Sequence, residues 1–388
     1  MKVLHIITRM NTGGPAVFLD HLTNAMNDLS AQSTIAHGYC ESNETDFTQT
    51  HNINASLIKV KTLHRSINPI DDIRSFRELR EIIKELKPDL INTHTSKAGV
   101  LGRLAVRSVS KNLPVVHTFH GHLIYGYFAR YKSWIFTIIE KFLSRYTDAA
   151  VAVTNETKQS LTKLGIGKRL LWRVIQIGIP VKSIALNQPS DGIFKMLWVG
   201  RFTDIKDPKY AIEVVKQLSK ASPNNFSLTM VGEGELFSDI KIEAKNLPIT
   251  FTGWLTAPFE KITDFDLLLI TSKNEGLPLV MLEAANYGRP TISNNVGGIS
   301  EFISDNQTGY LTEIDPIKMA NRIIEIASDK KSLHQIGLNA NKLLGEKAIQ
   351  SIVKKSGDTP SLVTTTTTHG LKNGNIVEFD TIAGMTEI

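Results

Sequence analysis

The chain has 388 residues, of which 41% are hydrophobic and 21% charged, and it contains one cysteine, Cys40. These proportions exclude a disordered or collagen-like chain, a single cysteine excludes a disulfide framework, and the length predicts two domains. The net charge is +6, yet residues 98–180 alone hold 12 Lys or Arg against 3 Asp or Glu. This basic segment predicts an anionic partner, for which nucleic acid, an acidic membrane surface and a phosphorylated substrate all qualify.

The first half of the chain alternates strand-like and helix-like segments. A short apolar run at residues 3–7, a turn at Gly13-Gly14 and an amphipathic helix predict a strand–turn–helix unit. Further strands are predicted at residues 56–60, 89–93, 115–118, 149–153 and 173–177, with helices at residues 69–86 and 98–108. Strands joined by helices of this length predict a mostly parallel sheet covered on both faces.

A second series of the same kind follows. Its predicted strands lie at residues 195–199, 227–231, 249–252, 267–270 and 291–293, and its last helices at residues 318–327 and 332–344. We therefore predict an α/β fold of two Rossmann-like domains, residues 1–180 and 181–345. Ligands of such sheets bind beyond the carboxyl ends of the strands, so the chemistry should lie in loops facing a central cleft.

The sharpest motif is the segment TSKNEGLPLVMLEAANYGRP at residues 271–290. A buried strand leads through Glu275 to Gly276-Leu277-Pro278, which opens a helix that carries Glu283 about two turns further on. Free amides at a helix amino terminus bind anions, and two carboxylates beside them suit the hydroxyls of a phosphorylated sugar. The alternative is structural: one glutamate satisfies the helix dipole and the other lies on a solvated face.

This motif closely resembles the Glu-x7-Glu motif of glycosyltransferase family 4, whose members are retaining enzymes with the GT-B fold. Other segments occur in the family's order, at residues 8–15, 91–105, 117–122, 198–208, 230–235, 251–254 and 294–311. The resemblance covers residues 1 to about 345 and implies an acceptor-binding domain followed by a nucleotide-sugar-binding domain. Residues 346–388 contain five consecutive threonines, followed after residue 368 by a stretch of β-hairpin character, and do not resemble the family's closing helix. They are expected to form an atypical β-like tail, fused or non-native to the family.

The resemblance implies roles for the donor side of the cleft. Arg201 and Lys206 would neutralise the donor diphosphate, while Glu283 would bind the ribose and Glu275 the transferred sugar. Backbone amides would contact the sugar and phosphates, and glycines would let the backbone approach the diphosphate closely. These amides and glycines belong to Gly276, Leu277, Leu279, Gly13 and Gly14.

On the acceptor side, His120 matches a family histidine near the anomeric carbon and is, with Glu275, our candidate catalytic residue. A neutral imidazole there could bind the donor sugar or position the acceptor hydroxyl. His94 and Lys97 are expected to line the acceptor site, whereas His117 is expected to lie within a strand.

The basic segment mixes aromatic and cationic residues between His122 and Arg145. Such a mixture suits an anionic membrane interface, with Arg130 and Lys132 facing the lipid; the alternative is a core helix at residues 134–143 with solvated cations. We therefore expect a cytoplasmic protein peripheral at the inner face of the plasma membrane. No recognition motif for nucleic acid accompanies the charge.

The predicted function is the retaining transfer of a sugar from a nucleotide sugar to a lipid-linked or saccharide acceptor in bacterial surface polysaccharide synthesis. The resemblance to the family implies UDP as the preferred nucleotide. No cofactor or metal is expected, because Asp264-Phe265-Asp266, which spells a metal-binding Asp-x-Asp, leads into a buried strand. Two alternatives remain: another GT-B enzyme such as a sugar-nucleotide epimerase, and a catalytically silent sugar-nucleotide-binding subunit.

Overall fold

A computed structural model of the protein describes residues 1–41, 44–121, 130–179, 192–346, 349–356 and 359–365. The amino-terminal half contains a seven-stranded sheet with helices on its faces. Its elements are β1 (Lys2–Ile7), α1 (Gly14–Asp28), β2 (Gln32–His37), α2 (Phe47–Thr50), β3 (Ser56–Lys59), α3 (Pro69–Leu86), β4 (Leu90–His94), α4 (Ser96–Val109), β5 (Val115–Phe119), α5 (Arg130–Leu143), β6 (Ala149–Ala152), α6 (Asn155–Lys163) and β7 (Leu171–Val174).

The carboxy-terminal half contains a six-stranded sheet and its own helices. Its elements are β8 (Phe194–Val199), α7 (Pro208–Ala221), β9 (Phe226–Val231), α8 (Phe237–Glu243), β10 (Ile249–Gly253), α9 (Pro258–Lys261), β11 (Leu267–Ile270), α10 (Leu279–Asn286), β12 (Thr291–Asn294), β13 (Tyr310–Thr312), α11 (Pro316–Ser328) and α12 (Lys330–Glu346). A two-stranded antiparallel hairpin follows, with β14 (Ile349–Ser356) and β15 (Thr359–Thr365).

Both large sheets are parallel throughout and doubly wound. The strand orders are β3-β2-β1-β4-β5-β6-β7 and β10-β9-β8-β11-β12-β13. In each sheet the first three strands are added towards one edge and the later strands towards the other edge, so the strand order switches between β1 and β4 and between β8 and β11. Strands at these positions are buried on both faces; β11, for instance, reads Leu-Leu-Leu-Ile and is buried at every residue. The predicted pair of Rossmann-like sheets is confirmed, and each sheet has a switch point, which is the position where sheets of this type generally bind ligands.

Local sequence signals account for most element boundaries. Helix α3 begins after Asn68, whose Oδ1 accepts from the amides of Ile70 at 3.1 Å and Asp71 at 3.4 Å, with Pro69 in the first turn. Within the two large sheets, the strands β2 and β13 have no counterpart in the sequence prediction. Strand β2 carries polar residues at its first three positions, and β13 has only three residues, so neither presents a continuous apolar run.

The end of the chain departs from the two sheets. The hairpin-like stretch predicted after residue 368 lies outside the described residues, whereas the hairpin that is described lies upstream of it, in β14 and β15. Among the described residues, no helix combines the length and the apolar character needed to cross a bilayer.

Candidate active site

The candidate site lies where the carboxyl ends of strands from the two sheets meet. His94 is the last residue of β4 and His120 directly follows β5, while Arg201 follows β8 and Glu275 follows β11. Backbone contact joins the two sides: a Cβ added at Gly276 would lie 2.7 Å from the carbonyl oxygen of His120. The loop that precedes α10 therefore packs directly on the loop that follows β5.

Lys206 and Glu275 form an ion pair on the carboxy-terminal side of the cleft. The same Glu275 oxygen accepts from Ser272 Oγ at 2.6 Å, and the Lys206 carbonyl accepts from Thr271 Oγ1 at 3.0 Å. These contacts tie the loop after β8 to the loop after β11. The cation and carboxylate that the motifs singled out are therefore brought together.

Arg201 reaches across to the amino-terminal half. One of its terminal nitrogens lies 3.8 Å from Glu44 Oε1, and Glu44 is held by Arg9 through contacts of 2.6 and 2.7 Å. Glu44 is almost fully buried, since its side chain is 4% exposed. A carboxylate that sequence reasoning did not single out therefore lies between two arginines beside the cleft.

Helix α10 begins at Leu279, with Pro278 at its N-cap position and Leu277 buried. Glu283 lies in the second turn, only four residues after Leu279, so the expected distance of two turns was too long. Helix α1 begins at Gly14 after Gly13, and a Cβ added at Gly14 would meet no heavy atom within 4 Å. The residues predicted to supply amides and close backbone approach on the donor side thus lie at the amino termini of α10 and α1, and their role in donor binding stays a prediction.

Glu301, from the carboxy-terminal half, also contacts the amino-terminal half. Its carboxylate accepts from the backbone amide of Glu156 at 2.9 Å, and from the side-chain amides of Asn155 and Gln176 at 3.2 Å each. The first two donors belong to the amino terminus of α6, so a carboxylate of one half caps a helix of the other. Glu301 falls inside a recognised motif, but only the tertiary structure shows its partners.

Three histidines form a contiguous group behind the cleft. His94 Nδ1 lies 2.9 Å from His120 Nε2, and His94 Nε2 lies 3.3 Å from His5 Nδ1. Burial lowers the pKa of His5 and of His120 to about 4 and holds that of His94 well below its usual range, the neighbouring imidazoles adding to the effect on His94. All three imidazoles are therefore neutral at physiological pH.

His94 differs from its expected position. We predicted that it lines the acceptor site, but its side chain is 0% exposed because it ends a central strand between His5 and His120. Lys97 lies in the first turn of α4, where its ammonium pairs with Asp72. His117 lies within β5, as predicted, and its Nδ1 is 2.8 Å from Thr93 Oγ1.

The basic segment contains helix α5, and most of the large apolar side chains of that helix face outward. On α5 the side chains of Trp134, Ile135, Ile138, Ile139 and Phe142 are exposed, and Trp134 is 66% exposed. A core helix would bury them, so that alternative was wrong. His122 lies outside the described residues, as do the side chains of Arg130 and Lys132.

Asp264 and Asp266 both contact Lys195, so these two carboxylates have a structural role. Asp264 pairs with the ammonium of Lys195, and Asp266, which is buried, accepts from the Lys195 backbone amide at 2.8 Å. Within the described ranges, no group of three His, Cys, Asp or Glu side chains is arranged to hold a metal ion. Metal independence stays a prediction.

Comparison with known families accounts for both halves of this arrangement. The model described as Glycosyltransferase Family 4 matches residues 12–182, and the one described as Glycosyl transferases group 1 matches residues 185–343. The chain is a family 4 glycosyltransferase. The transferase is 29% identical over 290 residues to the UDP-Gal:alpha-D-GlcNAc-diphosphoundecaprenol alpha-1,3-galactosyltransferase of Escherichia coli, covering 70% of this chain and 74% of that one.

Other relatives of the transferase also act in polysaccharide synthesis. It is 28% identical over 274 residues to the O-antigen biosynthesis glycosyltransferase WbnH of Escherichia coli, covering 70% of this chain and 76% of that one. Among solved structures, Anabaena HepE in complex with UDP-glucose superposes with a TM-score of 0.73 at 19% identity, covering 89% of this chain and 95% of that one. The transferase therefore has the GT-B fold, and its relatives include glycosyltransferases of O-antigen biosynthesis.

Proposed function

We propose that the protein is a retaining hexosyltransferase that moves a sugar from a UDP-sugar to a lipid-linked or saccharide acceptor. The observation that carries the proposal is the Lys206–Glu275 pair at the approach to α10, in a loop that packs against His120. An ammonium and helix amides suit a diphosphate, and carboxylates suit sugar hydroxyls. The name of the Escherichia coli relative and the UDP-glucose in the Anabaena structure support this donor class.

In the proposed donor site, Arg201 and Lys206 neutralise the diphosphate and the amides that open α10 bind its oxygens. Glu283 accepts from the ribose hydroxyls, and Glu275 accepts from the transferred sugar. Open space next to Gly14 admits the diphosphate close to the backbone at the start of α1. Because two side-chain cations supply positive charge here, we expect turnover in the presence of EDTA, and a requirement for added Mg²⁺ would contradict that expectation.

The proposed reaction is a front-face displacement. The bond from the anomeric carbon to the diphosphate oxygen breaks while a bond to the acceptor oxygen forms on the same face, and the acceptor proton passes to the departing diphosphate. Glu275 is engaged by Lys206 and Ser272, which disfavours it as a nucleophile. A covalent glycosyl-enzyme trapped on Glu275 and seen by intact-protein mass spectrometry would contradict this mechanism.

The experiment that tests the function measures UDP release from a panel of UDP-sugars, with and without acceptor. We expect acceptor-dependent release, and a loss of roughly 100-fold or more in turnover for Glu275→Ala, the scale seen when a group that stabilises the transition state is removed. Glu313→Ala is the matched control, because Glu313 is exposed and its carboxylate pairs with the exposed Lys318. Equal inactivity of wild type and Glu275→Ala would instead indicate a silent binding subunit, and donor conversion without acceptor would indicate an epimerase.

We further propose that α5 places the enzyme on an anionic membrane surface, at the cytoplasmic face, where a lipid-linked acceptor lies. The outward apolar side chains form two rows with a spacing of four residues, one at residues 134, 138 and 142 and the other at residues 135 and 139. Residues four apart are neighbours on a helix surface, so these side chains share one side of α5. Exposed Lys141 lies within the same stretch and exposed Arg145 follows it, and apolar residues beside cations suit the interface of anionic lipid.

Liposome flotation tests this surface. Ile138→Ser with Phe142→Ser should reduce binding to vesicles containing phosphatidylglycerol, and so should removal of Arg130 and Lys132. Ile317→Ser is the control, because Ile317 is equally an exposed isoleucine but lies on α11 of the other half. Unchanged binding of the α5 variants would refute the membrane proposal without affecting the proposed transfer reaction.

A further inference from the structure

Three adjacent strands of the amino-terminal sheet each contribute one imidazole to a single chain of contacts. His5 comes from β1, His94 ends β4 and His120 follows β5. Each contact joins two ring nitrogens: His5 Nδ1 lies 3.3 Å from His94 Nε2, and His94 Nδ1 lies 2.9 Å from His120 Nε2. The nitrogens at the two ends of the chain, His5 Nε2 and His120 Nδ1, are buried and have no hydrogen-bond partner.

A neutral imidazole carries one N–H and one acceptor nitrogen, so the three rings share three protons. Each of the two contacts needs one proton and no more. Only two arrangements satisfy both contacts: every ring is protonated on Nδ1, or every ring is protonated on Nε2. The tautomer of His120 is therefore coupled to those of His94 and His5.

The two arrangements differ at the buried end. If all rings are protonated on Nε2, His5 holds an N–H without an acceptor inside the sheet, where the residue is 0% exposed. If all are protonated on Nδ1, His5 holds only an unused lone pair, and the unpartnered N–H belongs to His120. Buried N–H groups without an acceptor are rarer in proteins than under-used acceptors. Of the two end residues only His120 is partly exposed, beside the Gly276 loop, so a ligand in the cleft can approach His120 but not the fully buried His5.

Packing holds the rings in this order. The edge of Phe18 contacts the His120 ring, with a centroid separation of 5.0 Å. The backbone after His94 is fixed at Thr95, a β-branched residue with a φ of 63°, whose hydroxyl lies 2.7 Å from that of Thr8. A conformation so unfavourable for threonine is retained only where neighbours enforce it.

We propose that His94, supported by His5, holds His120 as the Nδ1-protonated tautomer, so that His120 donates a hydrogen bond to an oxygen of the bound sugar and does not act as a base. His94 and His5 are thus positioning residues. This inference rests on the proposed function for the identity of the ligand, but the tautomers themselves can be measured without a ligand.

NMR of the full-length protein, labelled with ¹⁵N at histidine, tests the tautomers directly and requires no substrate. At pH 7 we expect His5, His94 and His120 all to be protonated on Nδ1, with signals assigned from single substitutions. Protonation of all three on Nε2 would overturn the donor role, and a mixed pattern would show that the chain of contacts does not exist. Failure of the transferase assay alone would leave these results unaffected.

Substitutions at His94 connect the tautomer to turnover. Gln at this position can donate to His120 Nε2 and accept from His5, so His94→Gln should keep most of the activity and the Nδ1-protonated form of His120. His94→Phe removes both hydrogen bonds and should lower kcat at least tenfold with little change in KM for the donor. His117→Gln is the control, since His117 is buried but bonds to Thr93 outside the chain, and it should leave the three tautomers unchanged. Equal effects of the Gln and Phe substitutions at His94 on kcat would overturn the positioning role.

Discussion

At the scale of single residues, the cations of the cleft are paired with carboxylates. Lys206 pairs with Glu275, and Arg201 lies 3.8 Å from Glu44. Both cations are only partly exposed, so their carboxylate partners keep them from being isolated charges in a half-buried site. A diphosphate can replace one negative partner by another, which lets the cations stay in place when the donor binds.

Lys206→Ala should weaken binding of UDP roughly 10- to 100-fold, because a hydrogen bond to a charged group is worth about 1.5–3 kcal/mol. Isothermal titration calorimetry with UDP measures this directly. The control is Lys273→Ala, which removes a more exposed lysine that pairs with Asp204. Equal affinities of the two variants for UDP would contradict the proposed role of Lys206.

Buried histidines make stability depend on pH. The pKa of His5 in the folded protein is about 4, against 6.5 for an exposed imidazole, so the unfolded chain binds more protons between these values. The contribution of neutral His5 to the free energy of unfolding is therefore fully present above pH 6.5 and is lost as the pH falls towards 4. His5 alone should cost about 2 kcal/mol of unfolding free energy between pH 7 and pH 5, since one pKa unit is worth about 1.4 kcal/mol.

Urea unfolding at pH 7, 6 and 5 measures this dependence. His5→Phe should flatten the curve, whereas His51→Gln should not, because His51 is only half-buried. An unchanged slope in His5→Phe would show that His5 is not buried as a neutral imidazole.

At the scale of an element, α5 reverses the usual amphipathic arrangement. Its inward side carries Glu140, which is fully buried and bound to Arg103 of α4 by contacts of 2.7 and 2.9 Å. Arg103 also donates to the Gly99 carbonyl at 2.8 Å. A charged pair, together with the buried Leu143, thus anchors the helix from within while five large apolar side chains face outward, which is why hydrophobicity alone could not orient it.

Breaking this buried pair should be strongly destabilising. Arg103→Met leaves Glu140 buried without its cation and should cost about 3–5 kcal/mol of unfolding free energy, while Arg103→Met with Glu140→Leu should recover much of that loss. Lys216→Ala, which breaks a pair near the surface, is the control and should cost less than about 1 kcal/mol. Denaturant unfolding measures all three, and a double variant no more stable than Arg103→Met would contradict the argument.

At the scale of the whole molecule, a few contacts hold the two sheets around the cleft. The Gly276 loop packs on His120, and a Cβ added at Gly298 would lie 2.3 Å from Thr154 Cγ2, so the approach there is close enough to require glycine. Glu301 adds charge-assisted hydrogen bonds to α6 beside this contact. Domain interfaces of this kind move readily unless specific contacts fix them.

Glu301→Ala should loosen the two halves, because α6 loses its cap from the opposite half. We expect a lower Tm by several degrees and a larger radius of gyration in small-angle X-ray scattering of the empty protein. Glu313→Ala removes an exposed carboxylate of the same half and is the control. If Tm and scattering stay unchanged in Glu301→Ala, these hydrogen bonds do not hold the halves together.

The sequence alone was sufficient for the fold class, the bounds of α3 and the placement of the main motifs at strand ends. These depend on local signals: apolar runs, helix caps and the spacing of Glu275 and Glu283 along one segment. The strand β2 escaped prediction because its polar residues gain a place in the sheet only through pairing with β1 and β3.

Tertiary structure decided which side chains meet. The chain from His5 to His120, the position of Glu44 beside Arg201 and the hydrogen bonds of Glu301 to α6 each join residues from separate parts of the chain. The outward side of α5 was decided in the same way, by the burial of Arg103 with Glu140. The physical reason is that pairing, burial and desolvation depend on distances across the fold, whereas the spacing of residues along the chain specifies only which local element each residue occupies.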